Sequence, residues 1–128
     1  MKALRDGLNP TPKASPWGLV DSCRELAPGV FQVSTPGHGG LMVFAEVELS
    51  ERARTLNRYG GVFGGYYCYE EDCEWALPIF EHPEWDAVNW SWRHPDLTAE
   101  QAAECVKAEA EQTLRHWMRE YFAGEEKS

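Results

Sequence analysis

VFQVSTPGHGGLMVFAEV, residues 30–47, holds two β-prone runs, Val30 to Ser34 and Leu41 to Val47, on either side of the loop Thr35-Pro36-Gly37-His38-Gly39-Gly40. β-branched and aromatic residues suit a pleated, half-buried surface, and the proline and glycines between them break the strand. A third run, Leu19 to Cys23, is set off by Ala27-Pro28-Gly29, so the three read as an antiparallel meander. Further on, Ser50 followed by ERARTLNR reads as a capped short helix ending near Asn57. Tyr59 to Tyr69 is rich in glycine and tyrosine and fits either a flexible loop or an edge strand.

The C-terminal third is helical in pattern. Thr98 and Gln101 form a capping box, and Ala102, Val106, Ala110, Leu114, Trp117 and Tyr121 recur as one apolar stripe. Lys107/Glu111 and Glu111/Arg115 are spaced to pair on the outer face, and Gly124 supplies a stop. The expected fold is α+β, with a small antiparallel sheet packed against a long C-terminal helix and one or two shorter helices. Residues 1–16, with Pro10, Pro12 and Pro16, read as a flexible arm, residues 17–124 as a single globular domain, and residues 125–128 as a tail.

Between these parts lies Tyr69 to Asp86, YEEDCEWALPIFEHPEWD, with seven carboxylates and no Lys or Arg in a chain of net charge −9. Glu70, Glu71 and Asp72 suit a helix N-terminus, where carboxylates oppose the dipole, and Cys73, Ala76, Leu77 and Phe80 follow with helical spacing. Pro78 inside that pattern predicts a kink or an early stop. The concentrated charge repels nucleic acid and attracts basic surfaces. Direct nucleic-acid binding is therefore disfavoured, and a basic surface of a host protein or nucleoprotein complex is the expected partner. The candidate contact residues are Glu70, Glu71, Asp72, Glu74, Glu81, Glu84, Trp85 and Asp86, with Trp85, Trp90 or Trp92 as aromatic anchors.

Other chemistries are weaker. Cys73 as nucleophile with His38 as base, in a small hydrolase or transferase, is opposed by four nearby carboxylates, which raise a thiol pKa. A metal on His38 and the Glu70 to Asp72 run is opposed by helical geometry, since adjacent residues point about 100° apart. No metal and no cofactor are expected; a structural His38, bonded to a carbonyl or to a Glu of the acidic helix, is the simpler reading. Cys23, Cys68, Cys73 and Cys105 form no CxxC pair, so reduced, mostly buried thiols are expected. Six tryptophans in 128 residues point to a core, or a binding surface, built on aromatics, with the core the expected one. No apolar run approaches the ~18 residues that cross a bilayer, and the N-terminus lacks a secretory h-region. A cytoplasmic protein without membrane contact is the expectation.

Trp17-Gly18, then Ala27-Pro28-Gly29 through His38-Gly39-Gly40, then Tyr69-Glu70-Glu71-Asp72-Cys73-Glu74-Trp75-Ala76 resemble the successive blocks of a domain-of-unknown-function family found in phage, plasmid and other mobile-element genes. The resemblance covers roughly residues 16–80, with a weaker echo in Thr113-Leu114-Arg115. It implies a context of accessory genes, in which small inhibitors of host restriction or CRISPR systems are common. Charge placement and that context together predict a binding protein of the anti-CRISPR or anti-restriction type that blocks a nucleic-acid-binding surface, in the host cytoplasm if phage-encoded.

Overall fold

A computed structural model describes residues 11–59 and 61–123. Residues 1–10 of the N-terminal arm, the Gly124 stop and the tail at 125–128 lie outside the described residues. The fold is α+β and divides into two compact units, Met1–Asp72 and Cys73–Ser128.

The first unit is built on strands. β1 (Ala14–Ser15) and β2 (Gly18–Leu19) form a small hairpin. It is held by the buried Ser15, whose Oγ donates to the Gly18 carbonyl at 2.8 Å and accepts from the Trp17 N–H at 3.2 Å. Next come β3 (Ser22–Ala27), β4 (Val30–Ser34), β5 (Gly39–Phe44), the short helix α1 (Glu51–Thr55), β6 (Val62–Phe63) and β7 (Tyr66–Glu70). The five longer-range strands make one antiparallel sheet in the order β3-β4-β5-β7-β6. The predicted meander is its first three strands. The first begins at Ser22, not Leu19, because Leu19 belongs to the small hairpin and stands 77% exposed.

The glycine–tyrosine stretch resolves into a hairpin. Gly64 and Gly65, with φ of 57° and 94°, form the two-residue turn between Phe63 and Tyr66, a conformation in which a Cβ is strained. β7 is an interior strand, and its alternation packs Tyr66 and Cys68 with Phe31, Val33 and Met42 into a core to which Trp17, Val20 and Phe44 add their edges. Tyr69, fully buried, points the other way and donates its hydroxyl to the Ala53 carbonyl at 2.6 Å, which ties α1 to the sheet. Ser50 caps α1 as expected, accepting from the Ala53 N–H.

The second unit is helical: α2 (Ala76–Glu81), α3 (Glu84–Arg93), α4 (Ala99–Trp117) and a 3-10 turn (Arg119–Phe122). Both α2 and α3 pack against α4. The Thr98–Gln101 capping box is formed in both directions, and Ala102, Val106, Ala110 and Leu114 are buried as the stripe requires. The stripe stops there. Trp117, still within α4, is 67% exposed; Met118 then leaves helical geometry at φ −138° and ψ 56°, and the 3-10 turn carries Tyr121 and Phe122 inward. Arg115 pairs with Glu111 at 2.8 Å, while Lys107 lies over the Phe80 ring.

Two expectations about the acidic segment are corrected. Glu70 closes β7 and Glu71 to Trp75 form turns, so the acids precede no helix N-terminus directly; β7 is held in the sheet by its cross-strand hydrogen bonds to β5, which outweigh a local preference. Pro78 produces no kink, because α2 begins only two residues earlier and a proline in the first turn removes an N–H that has no partner within the helix. α3 is an element with no counterpart among the expected ones. It and α2 both end on a histidine before a proline, His82-Pro83 and His94-Pro95, at nearly the same dihedrals, where the proline ring drives the preceding residue out of the α region.

Candidate functional site

Within the first unit, the two sequence blocks that carry the family resemblance lie side by side. Gly40 pairs with Glu70 and Leu41 with Tyr69 across β5 and β7, and the Glu71 N–H donates to the Gly39 carbonyl at 3.1 Å. The glycines permit this approach. A Cβ on Gly40 would stand 2.2 Å from the Tyr69 carbonyl oxygen and 2.7 Å from the Trp17 ring, and one on Gly39 would meet the Val33 carbonyl at 2.8 Å. Trp17 lies over this corner, its ring 6.3 Å from that of Tyr59 in an edge contact, with its buried Nε1 finding no acceptor among the described residues.

His38 rides on the turn into β5, where Thr35 donates both its N–H and its hydroxyl to the His38 carbonyl. It is the backbone of His38 that fixes the loop. The side chain is exposed, which answers the expected structural imidazole: the tight turn closes through main chain and a threonine hydroxyl and needs no ring bond. Among the described residues no group of three or more His, Cys, Asp or Glu is arranged to hold a metal ion.

The acidic candidates separate into interior and exterior groups. Glu70 is 7% exposed and forms an ion pair with the Arg58 guanidinium at 2.5 Å, so its charge is compensated at home. Glu71 and Asp72 are exposed. In the helical unit Glu74 is buried, Glu81 accepts a 2.5 Å hydrogen bond from the Tyr121 hydroxyl, and Asp86 accepts from Asn89 at 2.6 Å. Trp85 is buried and stacked on His82 at 4.1 Å. Glu70, Glu74 and Trp85 are therefore corrected from surface residues to interior ones: strand alternation turns Glu70 inward and helix periodicity Trp85, Glu74 is buried in the turn before α2, and each buried carboxylate needs a partner. Glu84 remains outside, its Oε1 3.4 Å from His82 Nδ1, a pair that is ionic only when the imidazole is protonated.

The helix α3 was not anticipated, and of the three aromatic anchors considered, Trp85, Trp90 and Trp92, it is Trp92 that it leaves open. Trp92 is 78% exposed, and with Val88, Ser91 and Pro95 it lines a shallow depression. The signal was present in the sequence as the i, i+4 spacing of Glu84, Val88 and Trp92, legible once residues 84–93 are bounded by the two His-Pro steps. Of the six tryptophans only Trp85 is buried, so the aromatic part of the core comes mainly from tyrosine and phenylalanine.

None of the four cysteines is in a disulfide: Cys68 is buried, Cys73 and Cys105 half-buried, Cys23 accessible. Desolvation, and secondarily the Glu25 carboxylate, raise the Cys23 thiol above its ordinary pKa, which keeps it protonated and unreactive at neutral pH. Burial, then Cys23, then Glu25 raise Tyr66 likewise. Cys73 sits in the turn before α2, in the helical unit, whereas His38 belongs to the sheet unit. No described helix is long and apolar enough to cross a membrane.

The chain belongs to the domain-of-unknown-function family DUF7007, whose profile matches residues 10–127. No curated protein and no solved structure matches it.

Proposed function

We propose that this is a small acidic binding protein, an inhibitor carried by a phage or other mobile element, which acts in the host cytoplasm by covering a basic nucleic-acid-binding surface of a defence complex of the CRISPR or restriction kind. The observation that carries the reading is that Glu71, Asp72 and Glu84 face solvent with no Lys or Arg partner among the described residues. Uncompensated carboxylates create a field that attracts a cationic surface and repels phosphate. Residues 73–128 reinforce it, with twelve Asp and Glu against five Lys and Arg. The resemblance to mobile-element proteins supplies the biological setting.

The test is affinity capture of the partner from host lysate with wild type and with the triple variant Glu71→Lys/Asp72→Lys/Glu84→Lys. Wild type retains a nucleic-acid-binding complex that elutes with rising salt and competes with its nucleic acid; the triple variant, folded as judged by circular dichroism, retains none. Equal capture by both proteins, or a partner without affinity for nucleic acid, refutes the reading. Glu70 is left intact in this design because its carboxylate holds Arg58. The hydrolase or transferase built on His38 and Cys73 gains no supporting observation, and His38→Ala and Cys73→Ser are expected to leave capture unchanged.

A further inference from the structure

General acidity does not explain why α3 displays an indole. Glu84, Val88 and Trp92 stand at successive i, i+4 positions with Ser91 beside them, so one stripe of the helix runs from a carboxylate through an aliphatic residue to an open aromatic face. Three other rings of this unit carry one of its own cations: the Arg93 guanidinium lies 5.5 Å from the Trp90 ring centre, that of Arg115 4.1 Å from Phe122 and the Lys107 ammonium 5.6 Å from Phe80, while the exposed Trp117 has the His116 ring against it. No described side chain stacks on Trp92. A second copy of the chain is a poor occupant, since two molecules of net charge −9 repel and would bring like carboxylates together. A nucleic-acid base would stack on the ring, but its phosphates would meet the same field.

We propose that the Glu84–Val88–Trp92 face of α3 is the docking site for an arginine-bearing segment of the basic partner. A guanidinium lies flat on the Trp92 indole, its stem against Val88 and Pro95, while a second cation about 12 Å away along the helix meets Glu84. Arginine suits this site better than lysine because its planar, weakly hydrated head stacks on an aromatic face, whereas an ammonium holds its water. The inference rests on the reading of the protein as an acidic binding protein and adds which surface makes the contact and which side chain it selects.

The experiment titrates the full-length chain with nona-arginine and with nona-lysine peptides at low salt. Affinity is measured by calorimetry, and the indole N–H resonances are followed by NMR, that of Trp92 being assigned from its loss in Trp92→Phe. Wild type is expected to prefer nona-arginine by roughly fivefold, with the Trp92 resonance moving most. Trp92→Ala removes the preference and keeps the salt-sensitive remainder, and Glu84→Gln weakens both peptides. If both peptides bind, and the Glu71→Lys/Asp72→Lys/Glu84→Lys variant loses them, while Trp92→Ala binds like wild type or the Trp92 resonance stays still, the docking inference falls and the acidic-binder reading stands. If wild type binds neither peptide, both fall.

Discussion

The packed interior of the sheet unit and the solvent face of the helical unit handle aromatic and charged side chains in opposite ways. In the first, Tyr66 and Tyr69 are buried, Trp17 is folded over Gly40, and Glu70 is neutralised by Arg58. In the second, Trp92 and Trp117 stand in solvent and carboxylates outnumber cations more than two to one. The difference teaches where to look for stability and where for recognition. A tryptophan left open forgoes the burial of a large apolar area, so Trp92 adds little to stability and is the residue to test for a contact. The sheet corner, by contrast, is packed so closely that its blocks of glycine and tyrosine are explained by folding alone.

That contrast is broken most severely at Gly40. Gly40→Ala forces apart two strands and the Trp17 ring and is expected to cost about 3 kcal/mol or more in urea denaturation, or to prevent folding. Gly37→Ala, whose Cβ meets nothing within 4 Å, stays within about 0.5 kcal/mol of wild type. Neighbouring glutamates sharpen it next. Glu70→Lys buries a cation beside Arg58 and loses about 2 kcal/mol or more, whereas the exposed Glu71→Lys changes stability by less than about 0.5 kcal/mol and acts on partner capture instead. Equal effects at the two positions would erase the distinction between interior and exterior acids.

In the helical unit, Thr98→Ala removes one half of the capping box and should cost about 1 kcal/mol, with helicity measured by circular dichroism. Trp92→Ala should cost less than about 0.5 kcal/mol, which would confirm that its exposed ring does not support the fold. The smallest expected effect is a pH dependence. Cys23 has a folded pKa above its unfolded value, so the fold binds its proton more tightly; the contribution is complete below the ordinary thiol pKa and is lost as pH rises through the raised one. Melting temperature should fall on the alkaline side, and Cys23→Ser should flatten part of that fall; an identical alkaline profile in the variant would remove Cys23 from the account.

How far the sequence could be read depends on the range of the forces involved. The Ser50 N-cap and the Thr98 capping box are local, and both helices begin where those residues say. Pro36-Gly37 marks a turn by backbone sterics, so the hairpin of β4 and β5 is legible, whereas Tyr59 to Tyr69 fitted loop or edge strand alike and its hairpin at Gly64-Gly65 depended on β5 being available to pair. The candidate site was legible only in part. Exposed Glu71, Asp72 and Glu84 match the acidic strip; Glu70, Glu74 and Trp85 do not, because nothing in a run of like residues says which of them a strand or helix will turn inward.

From its amino acids alone this chain determined an α+β fold, a capped long helix, the turns of the β3–β5 meander and an excess of negative charge, all consequences of contacts between near neighbours or of simple counting. Only the tertiary structure decided that Gly40 meets Tyr69 and Trp17, that Arg58 neutralises Glu70, and that Trp92 faces water while Trp85 does not. Those outcomes follow from segments far apart in the chain competing to bury area and to satisfy polar groups, and that competition is settled only when the elements pack.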